Sequence, residues 1–192
     1  MQGKPIATLR SASGTPTGRL AVWWLIASEV VIFGGLLASY IMHRIGHEDW
    51  AYAAAHTDVR IGGFNTLVLL TSSLFAVTAH HYAEKGEGRK AANWLMATVA
   101  GGAVFAGIKF GIEWPIDIRE GNTITSHPFW SFYYVAAGLH ACHVIAGCAI
   151  MLWVQNDARH NRELQRVELI GIYWHFVDLV WIFLFPLLYI AK

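Results

Sequence analysis

Five long apolar stretches separated by short polar segments dominate this chain. They cover approximately residues 19–44, 63–82, 91–114, 128–154 and 168–191. Each stretch is long enough to cross a bilayer as an α-helix, which takes about 20 residues. The pattern therefore predicts an all-α integral membrane bundle of five transmembrane helices. We expect a single domain over residues 19–192, preceded by a flexible tail over residues 1–18.

The distribution of basic residues predicts how this bundle is oriented. The tail, the second loop and the fourth loop together carry nine Lys or Arg, whereas the other two loops and the C-terminus carry four. Short segments rich in Lys and Arg remain in the cytoplasm. We therefore expect a cytoplasmic N-terminus and an external C-terminus.

The composition agrees with a membrane protein and excludes some other classes. Of the 192 residues, 55% are hydrophobic and 14% are charged, whereas about 25% of the residues in soluble domains are charged. The formal net charge of +1 argues against nucleic-acid binding. Cys142 and Cys148 lie six residues apart in one apolar stretch, a spacing that suits neither a disulfide nor a zinc site.

Ionisable residues are expected together near the midplane of the membrane. At a rise of about 1.5 Å per residue, Glu29 lies about 14 Å, Asp178 about 15 Å and His143 about 18 Å from the cytoplasmic side. His140 follows one turn beyond His143, and His175 shares a helical face with Asp178. A charged residue at that depth costs about 2.5–3.5 kcal/mol, so we expect these acids and imidazoles to pair. Both a structural network that fixes helix register and a proton site remain open.

Glu29 has the most apolar surroundings of these residues. Within the segment LIASEVVIF, Ser28 is its one near hydrogen-bonding neighbour in sequence. We expect its carboxyl group to remain partly protonated near neutral pH and to react with hydrophobic carbodiimides. Lys109 and Glu113, four residues apart, are expected to form an interfacial pair in which Lys109 snorkels outward. Pro115 is expected to end that third helix.

The histidines are also candidate metal ligands. His140 and His143 have a usable ligand spacing, but a di-haem site needs matched histidine pairs on two helices. No Glu-x-x-His motif of a di-iron bundle occurs in an apolar stretch. We therefore expect this chain to bind no metal or haem. A small membrane transporter or an independent haem protein remains the alternative from the residues alone.

Several segments resemble, in the same order, subunit III of the haem-copper oxidases. They are WLIASEVVIFGG (24–35), GFNTLVLLTSS with AHH (63–73 and 79–81), IKFGIEW (108–114), GLHACHVIAG (138–147) and YWHFVDLVWIFLF (173–185). Glu113 and Glu168 also fall where that family has glutamates. The resemblance extends over nearly all of residues 20–191.

The resemblance implies a non-catalytic subunit of a proton-pumping terminal oxidase of the cytochrome c type, in the bacterial inner membrane. Haem and copper are then held by partner subunits I and II, and subunit I is the main contact. Glu29 matches the family's carbodiimide-reactive glutamate, and a role in proton uptake is implied. Phospholipid is expected to bind, with Arg159 as a candidate headgroup contact. A quinol oxidase subunit III and a nitric oxide reductase accessory protein are the alternatives within the family.

The resemblance also implies a difference in the lipid site. The long form of the family has seven spans, and this sequence has counterparts of the last five only. The lipid cleft between the two parts of the long form is therefore not expected here unless subunit I or lipid takes the place of the first two spans.

Overall fold

The computed structural model describes residues 17–191, which are helical apart from short connections and contain no strand. Its helices are α1 (Thr17–Gly46), α2 (Trp50–Ala54), α3 (Val59–Glu84), α4 (Gly88–Ile108), α5 (Trp114–Arg119), α6 (Pro128–Arg159) and α7 (Gln165–Phe185). Two π-helical turns, Lys109–Glu113 and Pro186–Ile190, continue α4 and α7.

The predicted five-span, all-α fold is confirmed. Within residues 17–191, five helical segments are long and apolar enough to cross a membrane: Thr17–Gly46, Val59–Glu84, Gly88–Arg119, Pro128–Arg159 and Gln165–Ile190. The short helix α2, between the first and second spans, was not predicted. The orientation and the domain limits stay predictions, and most of the predicted tail lies outside the described residues.

Local sequence explains where the spans begin. The Asp58 side chain accepts hydrogen bonds from the backbone N–H groups of Arg60 (2.8 Å) and Ile61 (3.2 Å) at the start of α3. His127 accepts one from Phe129 N (3.0 Å), and Pro128 occupies the first turn of α6. Such caps satisfy N–H groups that have no partner within a helix, and proline suits a first turn because it has no N–H.

The prediction that Pro115 ends the third span is wrong. The π-helical turn Lys109–Glu113 precedes it, and Pro115 lies in the first turn of the helical segment that follows. A proline there removes no hydrogen bond that the segment needs, so the helix continues to Arg119. This extension places Asp117 within the span.

α3, α4, α6 and α7 form a four-helix bundle in which each helix packs against two neighbours, and α1 lies against α6 and α7. Of the 18 most apolar consecutive residues in each span, 56% are buried in the fifth span but 11% in the first. α7 is therefore central and α1 peripheral. Trp174 of α7 fills the bundle interior. A Cβ atom on Gly102 or Gly147 would lie 2.8 or 3.1 Å from its ring, so both close approaches depend on glycine.

Candidate functional site: mid-depth polar contacts and a buried lysine cluster

Glu29 on α1 and His143 on α6 face each other in the membrane interior. His143 Nε2 lies 3.0 Å from Glu29 Oε2, and the two side chains are 18% and 12% exposed. The contact is at ion-pair distance but is not an aligned hydrogen bond. His143 Nδ1 lies 2.8 Å from the backbone oxygen of Leu139, and a carbonyl can only accept, so Nδ1 carries a proton.

That geometry limits what the pair can do chemically. With Nδ1 protonated, Nε2 is the ring nitrogen of His143 that is left to accept a proton, and it faces a carboxyl oxygen of Glu29. A proton placed between these two atoms can be exchanged between them.

His140 is not brought to either acid. Its side chain is fully buried, with the ring stacked on Trp181 (centroids 4.9 Å apart) and against the edge of Phe105 (5.4 Å). Neither ring nitrogen has a hydrogen-bond partner in the part of the chain that the structure describes. His140 thus contributes aromatic packing between α6 and α7.

His175 and Asp178 meet α3 rather than the other histidines. Ser73 Oγ lies 2.6 Å from His175 Nδ1 and is also close to Asp178. Asp178 is 4% exposed, and neither of its carboxylate oxygens makes an aligned hydrogen bond within residues 17–191. The expected single network is therefore divided into an α1–α6 contact and an α3–α7 contact.

Glu168 and Arg159 lie at the end of the bundle where α1 begins. Glu168 pairs with Arg19 of α1 at 2.6 Å. Arg159 lines a polar cleft of about 430 Å³ together with Arg89, Asn93 and His160. The pair connects α1 with α7, and the cleft lies between the start of α4 and the end of α6.

Lys109 and Glu113 do not form the interfacial pair that the sequence indicated. Lys109 is fully buried instead of snorkelling outward. Its Nζ lies 3.1 Å from Glu113 Oε2 and 3.1 Å from the hydroxyl of Tyr133, and it also donates to the hydroxyl of Tyr189. Tyr133 on α6 and Tyr189 in the C-terminal turn pack over the lysine, so all of its partners lie inside the protein.

These residues and Asp117 make up a group that we call the Lys109 cluster: Lys109, Glu113, Asp117, Tyr133 and Tyr189. The Tyr133 hydroxyl lies 2.8 Å from Glu113 Oε1 and 3.2 Å from Asp117 Oδ2, and the Tyr189 hydroxyl contacts Glu113. All five side chains are at most 5% exposed. The cluster ties the third span to α6 and to the end of the chain.

Sequence reasoning missed three members of this cluster. Asp117, Tyr133 and Tyr189 received no role, although Lys109, Glu113 and Asp117 are spaced four residues apart. That spacing places them on one helical face and was the available signal. The spacing did not indicate a cluster because Pro115 was predicted to end the helix before Asp117.

No group of three or more His, Cys, Asp or Glu side chains among the described residues is placed to hold a metal ion. The expectations about haem and copper in this chain stay predictions.

The fold and these contacts define a multi-pass membrane protein with ionisable side chains held between its spans. The family model for cytochrome c oxidase subunit III matches residues 14–192. The chain therefore belongs to the cytochrome c oxidase subunit III family, which confirms the resemblance noted from its motifs.

Individual relatives agree with this assignment. The chain is 32% identical to cytochrome c oxidase subunit 3 of Thermostichus vulcanus, over 98% of this chain and 94% of the relative. It is 27% identical to quinol oxidase subunit 3 of Bacillus subtilis, over 91% and 88%. It is 29% identical to heme-copper oxidase subunit I+III of Aeropyrum pernix, over 90% of this chain and 22% of that protein. The chain is thus a haem-copper oxidase subunit III.

Proposed function

We propose that this chain is a non-catalytic subunit of a proton-pumping terminal oxidase of the cytochrome c type in a bacterial inner membrane. In this proposal subunits I and II hold the haem and copper, and this chain stabilises subunit I, binds lipid and aids proton uptake. The observation that carries the proposal is the family match over residues 14–192. The cytochrome c oxidase relatives favour cytochrome c as the electron donor.

Subunit I is the proposed main partner, with subunit II as a further one. The Aeropyrum pernix relative is named as a fused subunit I+III, and this chain matches 22% of its length. A fusion keeps both parts together in one molecule, which supports a direct contact between the corresponding separate subunits here.

The proposed part in proton uptake rests on Glu29 and His143. The two side chains lie 3.0 Å apart and retain slight exposure, 12% and 18%. A proton can be exchanged between the carboxyl oxygen and the ring nitrogen that face each other. The apolar flanks of Glu29 also support reaction of its carboxyl group with hydrophobic carbodiimides.

Two clefts support the binding of phospholipid. An apolar groove of about 330 Å³ between α1, α6 and α7 is lined in part by Trp153, Tyr173 and Arg166, and it suits an acyl chain near a cationic side chain. The polar cleft at Arg89 and Arg159 suits an anionic headgroup.

Purification of the tagged chain from its native membranes tests the proposal. We expect haem-containing subunits to copurify, the complex to consume oxygen with reduced cytochrome c, and the separated chain to show no Soret absorbance. A Soret band from the isolated chain, or the absence of every other oxidase subunit, would contradict the proposal.

A quinol oxidase is the second candidate, and the relatives named quinol oxidase subunit 3 favour it. The same purified complex distinguishes the two. Oxygen consumption with a reduced quinol, and none with reduced cytochrome c, would assign the chain to a quinol oxidase.

A further inference from the structure

We propose that a transmembrane helix of subunit I binds in the groove between α1 and α3, against an exposed strip of α7. We call Ile172, His175, Leu179 and Ile182 the α7 strip. This inference rests on the proposed function, because subunit I is the partner named there. It adds which face of the chain makes the contact and what the partner helix must offer.

The α7 strip lies between two helices that pack on its flanks. On one flank, Ser73 of α3 contacts His175 at 2.6 Å. On the other, α1 packs against α7, and Tyr40 of α1 donates to the backbone oxygen of Leu187 just beyond α7 at 2.6 Å. The strip residues recur every three or four positions, which places them on one face of α7. Leu179 and Ile182 are 51% and 44% exposed, so this face is open.

A polar site at mid-depth makes lipid an unsuitable cover for this groove. Counted from the same membrane face at about 1.5 Å per residue, His175 lies about 15 Å along α7 and Ser73 about 16 Å along α3. The His175 side chain is partly exposed at that depth. Ionisable residues in membrane spans almost always face protein or a water-filled cavity, because hydrocarbon offers them no hydrogen bond.

The unmet hydrogen-bonding capacity specifies what the occupant carries. Ser73 engages Nδ1 of His175, and the other ring nitrogen makes no hydrogen bond within residues 17–191. Asp178 adds nothing to this surface, because both of its carboxylate oxygens are buried inside the protein. A helix with a hydrogen-bonding side chain at mid-depth can satisfy the free ring nitrogen of His175, whereas an acyl chain cannot.

The outer face of α4 provides the contrast. Val104 and Phe110 are 46% and 41% exposed there, and Gly107 between them has open space around it. Exposed side chains on this face are apolar, so lipid tails can cover it without leaving a polar group unpaired.

Site-specific photo-crosslinking tests the inference in native membranes. A photoreactive residue is placed at Leu179, or at Val104 as the control, in the tagged full-length chain, and the cross-linked products are identified by mass spectrometry. We expect a product with subunit I from Leu179 and none from Val104. Products from Leu179 with lipid only, or with a second copy of this chain, would overturn the inference.

The same samples separate a failure of this inference from a failure of the proposed function. Should subunit I copurify but cross-link from Val104 rather than from Leu179, the groove is the wrong face and the proposed function stands. Should subunit I be missing from the purified material altogether, both fail.

Substitutions in the groove test the polar requirement. We expect His175→Leu to reduce the amount of subunit I recovered per tagged chain about tenfold, equivalent to about 1.4 kcal/mol. Thr71→Ala is the matched control, because the Thr71 hydroxyl is exposed and bonds within its own helix to Leu67 O at 2.8 Å. Equal recovery with the two variants would contradict the polar requirement. If His175→Leu fails to accumulate, the photo-crosslinking experiment still decides the question, because it changes only Leu179 in the groove.

Discussion

The mid-depth contacts and the Lys109 cluster are both built from ionisable side chains, yet they differ in how completely those side chains are paired. In the Lys109 cluster, one ammonium group, two carboxylates and two hydroxyls hydrogen-bond to one another. At mid-depth, Asp178 and both ring nitrogens of His140 make no aligned hydrogen bond within the described chain. Asp178 and His140 are as buried as the members of the cluster, so pairing is what separates them.

This difference indicates different roles. A fully paired buried cluster holds elements in place, because removing one member leaves some hydrogen-bonding groups of its neighbours buried without a partner. Incompletely paired groups keep capacity for a proton or for a neighbouring subunit. The Lys109 cluster is therefore expected to govern stability, and the mid-depth contacts to govern proton exchange and assembly.

The largest effect is expected from Lys109→Met. The substitution leaves Glu113 and Asp117 buried without their cation, which should lower the free energy of unfolding by about 3–5 kcal/mol. Thermal unfolding of the purified complex, followed by tryptophan fluorescence, measures the change. Lys85→Met is the control, because Lys85 is exposed in the loop between α3 and α4. Equal melting temperatures for the two variants would show that the cluster does not govern stability.

A smaller loss is expected from Tyr189→Phe. It removes a hydroxyl that contacts Lys109, Glu113 and Tyr133, and the loss of hydrogen bonds to charged groups should cost about 1–3 kcal/mol. The same unfolding measurement applies. Tyr52→Phe, at a side chain that is 75% exposed, should leave the melting temperature unchanged. A loss as large as that of Lys109→Met would mean that the hydroxyl, not the lysine, holds the cluster.

Asp178→Leu should barely change the stability of the chain itself. Because neither carboxylate oxygen has an aligned hydrogen bond, an apolar residue of similar size should leave the free energy of unfolding within about 1 kcal/mol of the original value or raise it. We expect weaker copurification of subunit I instead, because Asp178 lies beside Ser73, which contacts His175 in the groove. Unfolding of the isolated chain and quantification of subunit I measure the two effects. A large destabilisation with normal copurification would reverse the comparison between the two regions.

The smallest effect on assembly and activity is expected from Glu29→Gln. Glu29 contacts His143 of the same chain, so the complex should assemble and retain most of its initial oxygen consumption. Labelling of this chain by a hydrophobic carbodiimide should be lost, as read by mass spectrometry. Glu168→Gln, which alters an acid paired with Arg19 at the surface, should keep the labelling. Persistent labelling of Glu29→Gln would assign the reactive carboxyl to another residue.

Several features were predictable because they depend on local sequence. The five spans follow from the length of each apolar stretch, and the common depth of Glu29 and His143 follows from the fixed rise of a helix. Their distance of 3.0 Å agrees with that estimate of depth. Depth alone, however, gives no rotation about the helix axis, so it could not tell that His140 would stack on Trp181 or that His175 would meet Ser73.

The sequence by itself determined how many helices cross the membrane and which ionisable residues they carry, because hydrophobic length and helical rise are properties of each segment alone. The tertiary structure decided which of those residues have partners. Lys109 has a side chain long enough to reach the surface, and only the packing of α6 and the C-terminal turn against the third span directs it inward to Glu113, Tyr133 and Tyr189. Such contacts depend on the rotation and spacing of several helices at once, which no single segment encodes.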